Sequence, residues 1–117
     1  MTREELVRLL VLMRICDDYE EHELLHDEMV RDYPELSVEP ADVSRALRQL
    51  IELRLAHAYE LGEEGRGLLV GVPSEEEFAE CYFMANKEGI RVQAECGIPF
   101  NDDGNLDQQW WARHQTP

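Results

Sequence analysis

The chain has 117 residues, 44% of them hydrophobic and 32% charged, with a formal net charge of −15. That length and apolar content suffice for one domain with its own core and exclude a chain that is disordered by composition. So negative a charge argues against a general binder of nucleic acid or anionic membrane and fits a soluble intracellular protein or one with a basic partner.

The charge is spread unevenly. Residues 1–39 carry −8, residues 40–60 sum to 0, and residues 61–117 carry −7. Cys16, Cys81 and Cys96 lie far apart and form no CxxC pair, so free thiols in a reducing compartment are expected. The start, MTREEL, lacks the basic opening of a signal peptide, and Arg8 and Arg14 interrupt the apolar run that follows. The cytoplasm is the expected location, with no membrane span.

Thr2 and Glu5 form a T-x-x-E capping box, which starts a first helix near Arg3 that runs to about Cys16. Leu6, Leu10 and Met13 fall on one side and Val11, Leu12 and Ile15 on the other, so this helix is apolar almost all round and demands burial on two sides. Val11 and Ile15 are therefore expected under a second copy of the chain, in a homodimer, or under the C-terminal segment.

Asp17 and Asp18 break that run and can cap a second helix over Tyr19 to Asp32, stopped at Tyr33-Pro34. Within it, His22-Glu23-Leu24-Leu25-His26 matches H-E-x-x-H, the spacing that lets two histidines on one helical face bind zinc beside a glutamate base. Acidic neighbours crowd this copy and no third ligand lies at a motif spacing. The plainer reading is two histidines half buried on the apolar side, with no metal, no cofactor and no catalytic residue.

Glu35 to Glu39 connects to a third helix, Pro40 to Leu55. Val43, Leu47 and Leu50 line one side; Arg45, Arg48, Gln49 and Glu52 line the other. Pro40 suits the first helical position and Asp42 complements the helix dipole. A strand follows over Ala56 to Leu61, then a turn over Gly62 to Gly67 and a short strand over Leu68 to Val72. Ser74 and Glu77 repeat the capping box over a short helix to Glu80. Cys81 to Ala85 reads as a strand, and Asn86 caps a last helix over Lys87 to Glu95.

Residues 1–96 thus form the domain and residues 97–117 a tail or arm without periodicity. In that tail Asn101-Asp102-Asp103-Gly104 lacks the oxygen spacing of a calcium loop and reads as a hairpin-type turn. Trp110 and Trp111 either fold back on the domain or anchor a partner, because paired indoles are costly to leave in water.

The element order, with Tyr33-Pro34-Glu35-Leu36-Ser37, then Val43 to Glu52, then Leu55-Ala56, resembles a winged-helix domain of bacterial regulators. Tyr82 to Gly89 is similar to the strand and "TxxG" step into the last helix of such regulators. The resemblance implies an α+β fold of three helices, a hairpin-like wing with an elaborated turn region, a further helix and a tail. It also implies that Ser44, Arg45, Arg48 and Gln49, with Arg66 of the wing, stand at positions that contact nucleic acid. Three departures go with it. The second helix is crowded with acids, Arg54 replaces the glycine after the third helix, and the region between the wing strands is long and acidic.

The leading expectation is a non-enzymatic winged-helix-like protein that acts in regulation through contacts with another protein. A DNA-binding transcriptional regulator using the Pro40–Leu55 helix is the alternative. A zinc-dependent hydrolase built on His22, Glu23 and His26 is a distant third.

Overall fold

The first helix has no free side. α1 (Arg3–Arg14) opens with Thr2 as N-cap and the capping box closed by Glu5, and it packs against both the third helix and the fifth. That explains a helix whose Leu6, Val7, Leu9, Leu10, Val11 and Leu12 are all buried. The computed structural model describes residues 1–62, 65–68, 71–97 and 99–115.

Downstream lie β1 (Glu20–Glu21), α2 (His22–Asp32), a 3-10 turn (Pro34–Leu36), α3 (Pro40–Glu52), β2 (Ala56–Gly62) and β3 (Gly65–Leu68). They are followed by α4 (Glu75–Phe78), β4 (Cys81–Ala85), α5 (Lys87–Glu95) and α6 (Gln108–His114). The chain is a small α+β domain. β3, β2 and β4 form an antiparallel sheet, to which the two residues of β1 add a fourth edge strand in the order β1-β4-β2-β3.

α3 has the features expected of it. Pro40 occupies its first turn, and Val43, Ala46, Leu47, Leu50 and Ile51 are buried. Its end differs from expectation: the helix stops at Glu52, and Arg54 adopts a left-handed φ of 61° without being glycine. The Leu55 N–H then reaches the Leu50 carbonyl at 2.9 Å and the Arg54 N–H the Ile51 carbonyl at 3.0 Å. These paired bonds are those of a Schellman cap. The cap turns the chain into β2.

α5 is seated on that same junction. Asn86 accepts the Gly89 N–H at 2.9 Å and donates its side-chain amide to the Arg54 carbonyl at 2.8 Å. Gly89 lies so near Leu55 that a β-carbon there would stand 2.1 Å from the Leu55 oxygen.

Two expectations need correction. The second helix starts at His22, not Tyr19, because Glu20 and Glu21 pair with Phe83 and Tyr82 of β4. The hairpin is shifted: Gly65 to Gly67 lie in β3, paired up to Gly62 opposite Gly65, and the strand expected over Leu68 to Val72 only shares its first residue with β3. Residues 63–64 and 69–70 of that stretch lie outside the described residues. Val11 and Ile15, expected under a second copy or under the C-terminal segment, are each 0% exposed within the single chain, which covers them itself. The packing of α1 on both sides leaves neither any surface for a partner.

In the segment from residue 97 onward, Trp110 takes the fold-back alternative expected of it. The segment folds back on the domain and contains a helix, α6, capped by Asp107. Leu106 and Trp110 belong to the same buried cluster as α1, α3 and β4, and Trp111 packs half-buried against it. Asn101 closes the expected turn, its side chain accepting the Asp103 and Asn105 N–H groups while Phe100 bridges to Leu106. Trp110 stacks on His114 with ring centroids 4.1 Å apart. Among the described residues no helix is long and apolar enough to cross a membrane.

Candidate functional site

The polar side of α3 forms one wall of an open groove. α4, set between β3 and β4, lies across it and leaves a groove of about 690 Å³. Ala41, Ser44, Arg45, Arg48, Gln49 and Glu52 form the α3 wall, with Glu75, Phe78 and Ala79 of the α4 segment and His22 of α2 opposite.

Phe78 is the hinge pin of this arrangement. It is the one apolar residue in the acidic α4 helix and is buried. Its ring meets Phe83 of the sheet at 4.9 Å and His22 at 5.5 Å, and the Arg48 guanidinium sits 4.8 Å from its centroid. So four elements meet at one ring. Phe78 has no role foreseeable from the helix and motif patterns alone. Its signal was an isolated phenylalanine at the fourth helical position after Ser74, with buried Pro73 just before the cap, the spacing of a hydrophobic staple.

The structure brings Ser44, Arg45, Arg48 and Gln49 together in the groove. Most of their polar capacity is engaged within the chain. Arg45 pairs with Asp42 at 3.2 Å and approaches Glu4 at 3.8 Å. Gln49 accepts from Arg8 and donates to Glu4, both at 3.1 Å. The Ser44 hydroxyl lies 3.1 Å from the Pro40 carbonyl, which it can donate to, and 2.8 Å from His22 Nε2. Arg48 differs: it is half-buried and its contact is the Phe78 ring, with no ion pair among the described residues. Arg66 lies on β3 opposite Leu61, and its side chain is outside what is described.

Asp42 organises the start of α3. It accepts the Glu39 N–H at 2.9 Å and pairs with Arg3 at 3.2 Å as well as with Arg45. Burial alone pushes its carboxyl up, but the Glu39 N–H, Arg3 and Arg45 outweigh burial and hold it below its usual value. Arg3 also donates to the carbonyls of Leu36 and Ser37, which fixes the connector before α3.

His22 and His26 do lie on one face of α2, but each Nε2 is tied to a backbone carbonyl. His22 Nε2 stands 2.9 Å from the Pro40 oxygen and His26 Nε2 stands 3.0 Å from the Val38 oxygen. A carbonyl only accepts, so His26 Nε2 carries a hydrogen, while His22 Nε2 is shared between the Pro40 carbonyl and the Ser44 hydroxyl, 2.8 Å away. Among the described residues no group of three metal-ligating side chains is placed to hold an ion. The two histidines instead fasten α2 to the connector ahead of α3.

A second cleft, about 520 Å³, is lined by Arg14, Cys16, Asp17, Glu20, Glu28 and Asp32 beside apolar residues. Arg14 fills its middle, paired with Glu28 at 2.8 Å and with Asp32, and lies over the Tyr33 ring. Burial pushes the Cys16 thiol up to about 11, so it is a poor nucleophile at neutral pH. Cys81 is also raised, by burial first and then by nearby glutamates.

No protein-family model matches this chain, and no curated protein or solved structure is significantly similar to it.

Proposed function

We propose that this chain is a winged-helix-like protein that works in regulation through contacts with another protein, and that the groove between α3 and α4 is its contact surface. The observation that carries this reading is the engagement of the polar α3 side chains within the chain. Phe78 lies under Arg48, and Arg45 and Gln49 are engaged by Asp42, Glu4 and Arg8. A helix that reads base edges needs long side chains free to project into a major groove. Here α4 stands in the way and brings Glu75, Glu76 and Glu77 with it. With a net charge of −15, duplex DNA meets repulsion, whereas a basic protein surface meets attraction. Because α1 is covered within the chain, the partner belongs at the groove and not at α1.

A photo-cross-linking side chain placed at Glu75 is expected to give a protein adduct in lysate of the native host, and one placed at Glu95 of α5, outside the groove, to give none. Labelled duplex DNA is expected to stay unshifted at low salt. A shifted DNA band that weakens as salt rises would overturn the reading in favour of a DNA-binding regulator.

A further inference from the structure

The groove holds one cation that the fold leaves unused. Of the two arginines in the groove, Arg45 has a carboxylate partner in Asp42. Arg48 has none among the described residues, although it is half-buried and Glu52 lies four residues on. Instead its guanidinium is laid over the Phe78 ring. A guanidinium held against an aromatic face is restricted in position and keeps N–H groups that the ring does not use. Part of the ordering entropy of this long side chain is therefore met before any ligand arrives. A planar fork held in this way suits a carboxylate, which takes two parallel N–H bonds.

The surroundings restrict what that carboxylate belongs to. Glu52 and Glu75 line the same groove, and α4 adds Glu76 and Glu77 along its exposed side. A doubly charged phosphate group would face these acids, whereas a single carboxylate meets Arg48 and its neighbours can meet the acids if they are basic. Ala41, Phe78 and Ala79 provide apolar wall for the aliphatic part of a side chain.

We infer that the α3–α4 groove receives a protein segment carrying one aspartate or glutamate between basic residues, with that carboxylate bound by Arg48. The inference rests on the protein-contact reading above and names the chemistry of the partner. The basic flanks account for the acidity of the groove edge, and the central carboxylate accounts for an arginine presented without a partner.

The test is titration of the 15N-labelled full chain with the blocked peptide Lys-Ala-Glu-Ala-Lys and with its Lys-Ala-Gln-Ala-Lys counterpart, at millimolar concentration. The Arg48 Nε–H and the Ser44 amide are expected to shift with the glutamate peptide, and the glutamine peptide is expected to bind about tenfold more weakly. Arg48→Lys keeps the charge and loses the fork, so it is expected to remove most of the difference between the peptides while the remaining spectrum stays folded. Equal binding of both peptides, or shifts confined to residues outside the groove, overturns the inference. Failure of the peptides with the Glu75 cross-link intact overturns the carboxylate alone; loss of both overturns the parent reading too.

Discussion

Gly89 and Leu55 are in such close approach that a β-carbon on the first would stand 2.1 Å from the carbonyl oxygen of the second. The same carbonyl accepts the Asn86 N–H at 3.0 Å, so the start of α5 is bonded to the point where α3 hands over to β2. Asn86 completes the joint through its side chain, which bridges the Gly89 N–H and the Arg54 carbonyl. The four residues after β4, Asn86 to Gly89, thereby fix how α5 lies on the α3–β2 corner.

Gly89→Ala tests that joint because two effects pull in opposite directions. Helix propensity alone favours alanine by roughly 0.5–1 kcal/mol. The clash is with backbone, which cannot swing aside, and overpacking of this sort costs about 2–3 kcal/mol. The clash wins, so urea unfolding is expected to show a net loss of about 2 kcal/mol. An alanine variant as stable as the parent would mean that α5 is not seated as described.

Arg54 makes the complementary case. It is exposed and holds a left-handed φ of 61°, which costs a side-chain-bearing residue roughly 1 kcal/mol. Glycine removes that strain and keeps both Schellman hydrogen bonds. Arg54→Gly is expected to stabilise the fold by about 0.5–1 kcal/mol, read as a rise in melting temperature. Arg54→Val, with a β-branched side chain in the same conformation, is expected to lower it.

Local signals were legible in the sequence, and long-range pairings were not. The α3 stripe, its Pro40 start, the Thr2, Ser74 and Asn86 caps and the Asn101 turn depend on residues within a few positions of each other, and all are found where expected. β1 is two glutamates with no strand character, and only pairing with β4 makes them a strand. The glycines of β3 suggested a turn because they are permissive, yet pairing with β2 holds them extended. α6 spans 7 residues with its two tryptophans adjacent, too short for a period to appear. For the site, Arg45, Arg48 and Gln49 could be placed on one helix face from spacing alone. That Phe78, thirty residues on, would lie beneath Arg48 depends on the topology that carries α4 back over α3.

The two histidines of α2 are expected to behave as structural donors. Removing the ring in His26→Ala leaves the Val38 carbonyl without its 3.0 Å partner and should cost about 1 kcal/mol. Replacing His22 breaks a 2.9 Å bond to Pro40 and a ring contact with Phe78 together, so His22→Ala should cost more. Zinc added in excess is expected to leave the melting temperature of the parent unchanged, because no group of three metal-ligating side chains among the described residues is placed to hold it. A zinc-dependent rise in melting temperature, lost in both variants, would restore the metal reading.

Asp42 gives the pH dependence. Its carboxyl is held below its usual value because the Glu39 N–H, Arg3 and Arg45 together outweigh its burial. A carboxyl of depressed pKa stabilises the folded chain above its unfolded value, near pH 4, and loses that contribution as pH falls through the lower folded value. At pH 7 Asp42→Ala removes the first-turn acceptor and two ion pairs and should cost about 1–2 kcal/mol. Measured at pH 3, where the parent has begun to lose the same contribution, the difference between the two chains should shrink. Asp42→Asn retains an acceptor for the Glu39 N–H without the charge, so it should fall between them at pH 7 and show little pH dependence relative to alanine. Denaturant titrations of the three chains across this range decide the matter, and an Asp42→Ala cost that stays flat from pH 7 to pH 3 would show that the ion pairs with Arg3 and Arg45 do not stabilise the start of α3.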